Sequence, residues 1–240
     1  MADLRGVLLA GGTGSRLMPL TKVTNKHLLP IGKKPMIEWS LGSLIECSIK
    51  DIMVITGSEH AGAIFQYLGS GKQWGVNLTY RVQDTAGGIA QAISLASDFA
   101  ENHPIMVMLG DNIFGKQLCV QAAYYVHEMY SQGALVVVSQ SDHPQDFGVV
   151  EIKDRKIVGI EEKPAVPKSN MVQTGCYFYD TTVFETISKL KPSARGELEV
   201  ADLNLMYMYS GMLNWVETTG WWTDAGTLES YAKANEYARG

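Results

Sequence analysis

Leu9-Ala10-Gly11-Gly12-Thr13-Gly14-Ser15-Arg16-Leu17 closes the first apolar run, Val7–Ala10, and sets the reading of the whole chain. A short Val/Leu run that stops on glycines has the form of a buried strand feeding a tight turn. The glycines at 11, 12 and 14 let the backbone fold sharply and bring its N–H groups up to an anion. Two well-known phosphate loops are excluded. A Walker A loop needs Lys-Ser/Thr after its last glycine, and the dinucleotide fingerprint needs a third glycine where Leu17 stands. Glycines alone suit an ordinary strand-to-helix turn equally well. Arg16 in the loop and Lys26 further on tilt the reading toward a polyphosphate, since two fixed cations hold its charge and stabilise its leaving oxygens.

Outward from this loop, Ile52–Ile55, Leu78–Val82, Ile105–Leu109 and Ala134–Val138 read as further strands. Near-continuous apolar runs suit strands covered on both faces of a parallel sheet. Between them, Met36–Cys47 places Met36, Ile37, Leu41, Leu44 and Ile45 on one helical face, with Pro35 in the first turn. Gly88–Phe99 and Val120–Tyr130 read as helices on the same grounds. The alternation predicts an α/β, doubly wound, mixed but mainly parallel sheet of Rossmann-like form, with ligands beyond the carboxyl ends of its strands. After Phe147 the pattern changes to strands at Gly148–Ile152, Lys156–Glu161 and Gln173–Tyr179, expected as a small antiparallel lobe at one end of the sheet. Helices follow at Thr182–Leu190, Val200–Ser210 and Ala225–Ala238. With no repeat and no linker-like tract, residues 1–240 read as a single domain, with lobes 1–146 and 147–240.

Composition narrows the function. The 240 residues are 46% hydrophobic and 19% charged, with a formal net charge of −5. That is too apolar for a disordered chain, and a net negative chain has no global pull toward nucleic acid. No stretch reaches the length of apolar residues that a membrane helix needs, and Val7–Ala10 is far too short for a secretory core. Cys47, Cys119 and Cys176 are odd in number and unpaired in spacing, which fits a reducing cytoplasm rather than a disulfide or zinc framework. The five histidines show no metal-ligand spacing. Trp221 and Trp222 read as core.

Gly11-Gly12-Thr13-Gly14-Ser15-Arg16-Leu17-Met18-Pro19-Leu20-Thr21, followed by Asn25-Lys26-His27-Leu28-Leu29-Pro30, resembles the signature of the sugar-1-phosphate nucleotidyltransferases, and of their thymidylyl branch in particular. Further ordered matches run almost end to end. They include Val82-Gln83, Gly88–Ala92, Leu109-Gly110-Asp111-Asn112, Phe147–Glu151, Glu161-Glu162-Lys163-Pro164, Thr174-Gly175, Arg195–Glu199 and Trp222–Gly226.

The resemblance implies transfer of a thymidylyl group from dTTP to α-D-glucose 1-phosphate, giving dTDP-glucose for a deoxysugar such as dTDP-rhamnose, with UTP as the rival donor. A sensor that binds nucleotide sugars without catalysis is a third reading. Such transfer needs no protein nucleophile; alignment and charge neutralisation do the work. By resemblance, Leu9, Gly11, Gly12, Thr13, Gly14 and Ser15 hold the nucleotide. Arg16 faces the departing pyrophosphate, and Lys26 lies near the reacting phosphates. Gln83 reads the base beside Gly88, where by composition it would be a solvated strand end. Asn112, Gly148, Glu162, Lys163 and Gln173 take the sugar phosphate. Gln173 departs from the branched apolar residue usual at its position, and His27 stands where many members carry Gln. Asp111 and Asp224 are the expected pair of ligands for Mg²⁺, although an isolated Asp before a helix is more often its N-cap. The chain stops at Gly240, before a C-terminal helical segment found in many relatives. The resemblance therefore leaves allosteric control through that segment absent or rebuilt, and a homo-oligomer open.

Overall fold

β1 (Arg5–Ala10) lies in the middle of the sheet because its residues are apolar in both directions. Val7 and Leu9 join the core on one face, and Leu8 and Ala10 join the core on the other. That is the period-2 alternation of a strand covered twice. The computed structural model describes residues 4–115 and 132–239. β1 pairs in parallel with β4 (Asp51–Gly57) on one side and β6 (Ile105–Leu109) on the other. β5 (Asn77–Gln83) adds to β4, again in parallel. The chain therefore reverses direction of winding around β1, and its carboxyl end faces the crevice where doubly wound sheets bind ligands.

Two small ribbons precede and follow this frame: β2 (Pro30–Ile31) with β3 (Lys34–Pro35), and β7 (Asn112–Phe114), whose partner comes from far along the chain. Beyond β6 the sheet takes an antiparallel strand into its body. β11 (Met171–Tyr179) pairs with β6 and with β8 (Ala134–Gln140), and β12 (Leu213–Glu217) runs parallel to β8. β9 (Gly148–Lys153) and β10 (Lys156–Glu162) form a hairpin that leans on the first half of β11. The three antiparallel strands expected at one end of the parallel sheet, β9, β10 and β11, all continue it as one nine-stranded sheet.

Several expected boundaries move, each for a local reason. Pro35 ends β3 and caps α1 (Met36–Glu46) rather than opening its first turn. The helix expected over Gly88–Phe99 is two pieces, α3 (Ile89–Ser94) and α4 (Ser97–Ala100). Gly88 stays outside both because its φ is 96° and a Cβ there would sit 2.5 Å from the Leu198 carbonyl oxygen, a position only glycine takes. A helix at Ala61–Leu68, α2, was not expected. Two further helices, α5 (Val183–Ser188) and α6 (Val200–Tyr209), stand near their expected places. α7 (Leu228–Tyr237) starts later than expected because Thr227 is its N-cap, in a reciprocal capping box with Ser230. The helix expected over Val120–Tyr130 lies outside the described residues. Among the described residues, no helix is long and apolar enough to cross a membrane.

Candidate active site

The glycine loop leaves β1 with Gly12, Thr13, Ser15 and Arg16 exposed. Gly14 takes a φ of 71°, and its carbonyl oxygen accepts from the Thr21 hydroxyl at 2.8 Å, which ties the loop to the turn that follows. A Cβ on Gly12 would lie 2.9 Å from Lys26 Nζ, so the missing side chain is what lets that cation approach the loop. Leu9 itself points into the core, and its carbonyl oxygen accepts from the Gly110 N–H. It contributes the end of a strand rather than a side chain.

Asp111 and Asp224 are 113 residues apart and are brought together by a ribbon too short to read from the sequence. β7 pairs antiparallel with β13 (Trp222–Asp224), which places Asp224 opposite Asn112, and the Ala225 N–H donates to the Asp111 carbonyl oxygen at 2.8 Å. Neither carboxylate caps a helix. Lys26 Nζ donates to Asp111 Oδ2 at 2.5 Å, and Asn112 Nδ2 to Asp111 Oδ1 at 3.1 Å. Burial alone would raise Asp111, but the Lys26 ammonium beside it holds its carboxyl well below the usual range. Asp224 has the opposite fate. Burial and the Asp111 charge push it up to about 6, against the pull of Lys26 and Arg16. His27, buried and hydrogen-bonded through Nδ1 to Asn25 Oδ1 at 2.7 Å, is pushed down to about 3 by burial and by Lys26, so it stays neutral beside Lys26 and Asp111.

A cavity of about 190 Å³ opens from this point toward β9, β10 and β11. Arg16, Asp111, Asn112, Gly148, Glu162, Lys163, Gln173 and Asp224 all line it, so eight of the expected residues share one cleft. Lys163 has a φ of 43°, rare for a residue with a side chain, and its N–H donates to the Phe147 carbonyl oxygen. Strain of that kind is held by the surrounding structure and clusters where a side chain must be aimed. Its ammonium lies 4.0 Å from Glu162, whose carboxyl burial pushes up. Gln173 Oε1 accepts from Asn204, and its buried Nε2 has no partner among the described residues, a loss of about 1–3 kcal/mol for an unmet donor.

Gln83, Gly11 and Gly88 meet outside this cavity, at the carboxyl end of β5. Gln83 Nε2 donates to Gln91 Oε1 at 2.6 Å and toward Gly88 O at 3.3 Å, while its Oε1 sits 2.8 Å from where a Cβ of Gly11 would be. Its open end is therefore an acceptor, beside a glycine that leaves the space clear.

Asn112 proves to be a hub. Its Oδ1 accepts from the Gly175 N–H at 2.7 Å and from Trp222 Nε1 at 2.8 Å, so its amide is committed to holding neighbours in place. Trp222, read from the sequence as core, packs against the core and also lines the cavity, edge-on to Phe147 with centroids 5.4 Å apart. Trp221 does pack inward, against Trp39 and Tyr237. Sequence reasoning also gave no role to Arg195, which forks onto Glu199 and reaches Glu162 at 3.7 Å, or to Asn204 and Tyr177.

The chain matches the nucleotidyl transferase family over residues 5–239. A glucose-1-phosphate thymidylyltransferase of Neisseria meningitidis is 43% identical, over 98% of this chain and 83% of its own length. One from an Actinoplanes species is 41% identical, over 98% and 78%. A Bacillus anthracis protein with a provisional glucose-1-phosphate thymidylyltransferase name, solved in complex with a sucrose, superposes with a TM-score of 0.93 at 52% identity, over 98% of this chain and 95% of that one. A UDP-glucose pyrophosphorylase complexed with UDP-glucose shares the fold, with a TM-score of 0.85 at 21% identity.

Proposed function

The chain belongs to the nucleotidyl transferase family, and from that membership we propose that it makes dTDP-glucose and pyrophosphate from dTTP and α-D-glucose 1-phosphate. It is a nucleotidyltransferase, and nucleotidyl transfer to a sugar 1-phosphate is the coarser reaction. One observation carries the finer reading. A single cleft has Arg16, Asp111 and Asp224 at the mouth of the glycine loop and Glu162 with Lys163 at the far wall. A triphosphate laid along the loop presents its α-phosphorus between these ends. A sugar phosphate oxygen then attacks in line, forming the new P–O bond as the bond to the β-phosphate oxygen breaks. Lys163 holds the attacking phosphate, Lys26 lies by the attacking and transferred phosphates, Arg16 takes the charge of the departing pyrophosphate, and Gln83 Oε1 accepts from a pyrimidine N–H.

Two carboxylates close enough to push one proton uphill suit a divalent cation. Among the described residues, no group of three or more His, Cys, Asp or Glu side chains could hold a metal, so a zinc-type cage does not fit. Mg²⁺ does fit, because it takes one or two carboxylates and completes its shell with water and phosphate oxygens. Asp111 and Asp224 would hold it. When bound, the ion supplies positive charge against the α-phosphate. We read the two lobes, 1–146 and 147–240, as a single domain because β11 sits between β6 and β8, and we place the enzyme in the cytoplasm with its small-molecule substrates.

The test is pyrophosphate release on mixing the protein and Mg²⁺ with each triphosphate and each of several hexose 1-phosphates. Release that is fastest with dTTP and glucose 1-phosphate supports the reading. A clear preference for UTP would move the chain to the uridylyl branch, although one methyl group supports only about 10–200-fold discrimination. Release with no triphosphate would overturn it.

Two variants locate the subsites. Lys163→Ala should raise KM for the sugar phosphate about 10–100-fold, the equivalent of one charged hydrogen bond, with KM for dTTP held within twofold. Equal losses for both substrates would remove Lys163 from the acceptor subsite. Gln83→Ala should lower kcat/KM for dTTP and UTP together by about tenfold and narrow the margin over purine triphosphates. An unchanged pyrimidine preference would take Gln83 out of the base site.

A further inference from the structure

Gln173, on β11, is only 4% exposed, yet its Nε2 is without a hydrogen-bond partner among the described residues. Its neighbours fix which way the amide faces. Gln173 Oε1 accepts from Asn204 Nδ2, and Asn204 Oδ1 accepts from the Tyr179 hydroxyl at 2.7 Å. Among the described residues the Tyr179 hydroxyl bonds to Asn204 alone, so its proton requires an oxygen there. That requirement turns the Asn204 NH₂ onto Gln173 and leaves the Gln173 NH₂ pointing away from both.

What it points toward is the wall of the cavity. A methyl on Gly148 would collide with Gln173 Nε2 and stand 3.2 Å from Glu162 Oε2. An N–H donor and a carboxylate acceptor therefore flank the same glycine, and both residues line the acceptor subsite. A hydroxyl group is the ligand that uses both, since it accepts through its oxygen and donates its proton.

Resting on the reading of this cavity as the sugar-phosphate site, we propose that Gln173 is a specificity-determining residue that donates to one ring hydroxyl of a hexose 1-phosphate whose proton goes to Glu162. The substrate class is then a hexose 1-phosphate bearing a hydroxyl at that carbon. An analogue without it leaves a donor and an acceptor unmet in a buried place, which rejects it far more strongly than a lost apolar contact would. Asn204 and Tyr179 are positioning residues for the amide and touch no substrate.

The experiment compares glucose 1-phosphate with its 2-, 3-, 4- and 6-deoxy analogues, at saturating dTTP, for the unaltered protein, Gln173→Met and Asn204→Ala. The unaltered protein should use one analogue at least about 10²-fold less well in kcat/KM than glucose 1-phosphate. Gln173→Met keeps the bulk and removes the donor, and should shrink that one gap tenfold or more while leaving the other three ratios and KM for dTTP alone. Asn204→Ala frees the amide to rotate and should shrink the same gap by a smaller factor. A purely structural role would lower stability and all rates together without touching the ratios. Ratios in both variants within twofold of the parent for every analogue, or equal shifts at every carbon, would overturn the proposal. Failure of the underlying reading shows earlier, as no pyrophosphate release from any hexose 1-phosphate by the unaltered protein.

Discussion

Asp224→Asn should turn over on the order of 10³-fold more slowly than the parent, yet melt at the same temperature or higher in metal-free buffer. The loss follows from removing one of two carboxylates that would hold the cation at the α-phosphate, where charge stabilisation is worth several kcal/mol. The gain in stability follows from the same geometry. Burial and the neighbouring Asp111 push Asp224 up to about 6 from an ordinary 3.8, so above that pH the folded state carries a charge it disfavours. The folded state binds the proton more tightly than the unfolded chain, so this cost grows as pH rises from about 4 through about 6 and is complete above. Because Asp224 faces the open cleft and is screened there, the gain at pH 8 is on the order of 1–2 kcal/mol, and it vanishes below pH about 4. Thermal melts across that range, beside pyrophosphate assays with Mg²⁺, check both halves. Near-parental turnover would remove Asp224 from the metal site. A variant less stable than the parent at pH 8 would show that the carboxylate is structural.

That pairing of roles was only partly legible in the sequence. β1, β4 and β6 declare themselves because strands covered on both faces are apolar without interruption, and Ile105–Leu109 is observed with the expected ends. β7 and β13 are three residues each and carry no periodicity at all. Yet their pairing is what brings Asp111 and Asp224 to one place, so the chain could suggest the pair and not the means. The helix expected from Gly88 begins only at Ile89, because the conformation of Gly88 follows from its contact with Leu198, 110 positions away. In the site, glycines and cations beside a strand end speak for phosphate on physical grounds alone. Glu162 and Lys163 do not, because a charged strand end is solvated by default, and their place in an ordered set of matches was needed to raise them. Trp222 was half legible for a related reason: its packing on the core can be read from an aromatic pair, but its place in the cavity wall follows from the partner of its indole N–H, Asn112. Arg195 shows the same limit, since its reach to Glu162 is set by tertiary packing.

Lys26→Met should have two separable effects, and their separation tests how the charged centre is built. The Lys26–Asp111 pair is 2.5 Å long, with both side chains about 12% exposed. Without the ammonium, Asp111 keeps its burial and loses the charge that holds its carboxyl low. Breaking a buried pair from one side costs about 3–5 kcal/mol, and the opening of this site to the cleft trims that to about 2 kcal/mol. The depressed Asp111 pKa means that the pair's stabilisation is present above the unfolded carboxylate value, 3.8, and is lost as pH falls through the lower folded value. The stability gap between parent and Lys26→Met should therefore be full at neutral pH. It should narrow as the variant's Asp111, raised by burial without the ammonium, takes its proton, and close further on acidification below about 4. Adding Asp111→Asn removes the stranded charge, so the double variant should recover most of the stability that Lys26→Met loses, a coupling that a double-mutant cycle in urea reads directly. Turnover should not recover with it. Lys26→Met removes a cation from the reacting phosphates and lowers turnover about 10²–10³-fold, and Asp111→Asn can only deepen that loss. A Lys26→Met protein with parental stability, or a double variant no more stable than the single one, would mean that the short contact is incidental to the fold. Recovery of turnover along with stability would mean that Lys26 serves only to neutralise Asp111, and that the reacting phosphates draw no charge stabilisation from it.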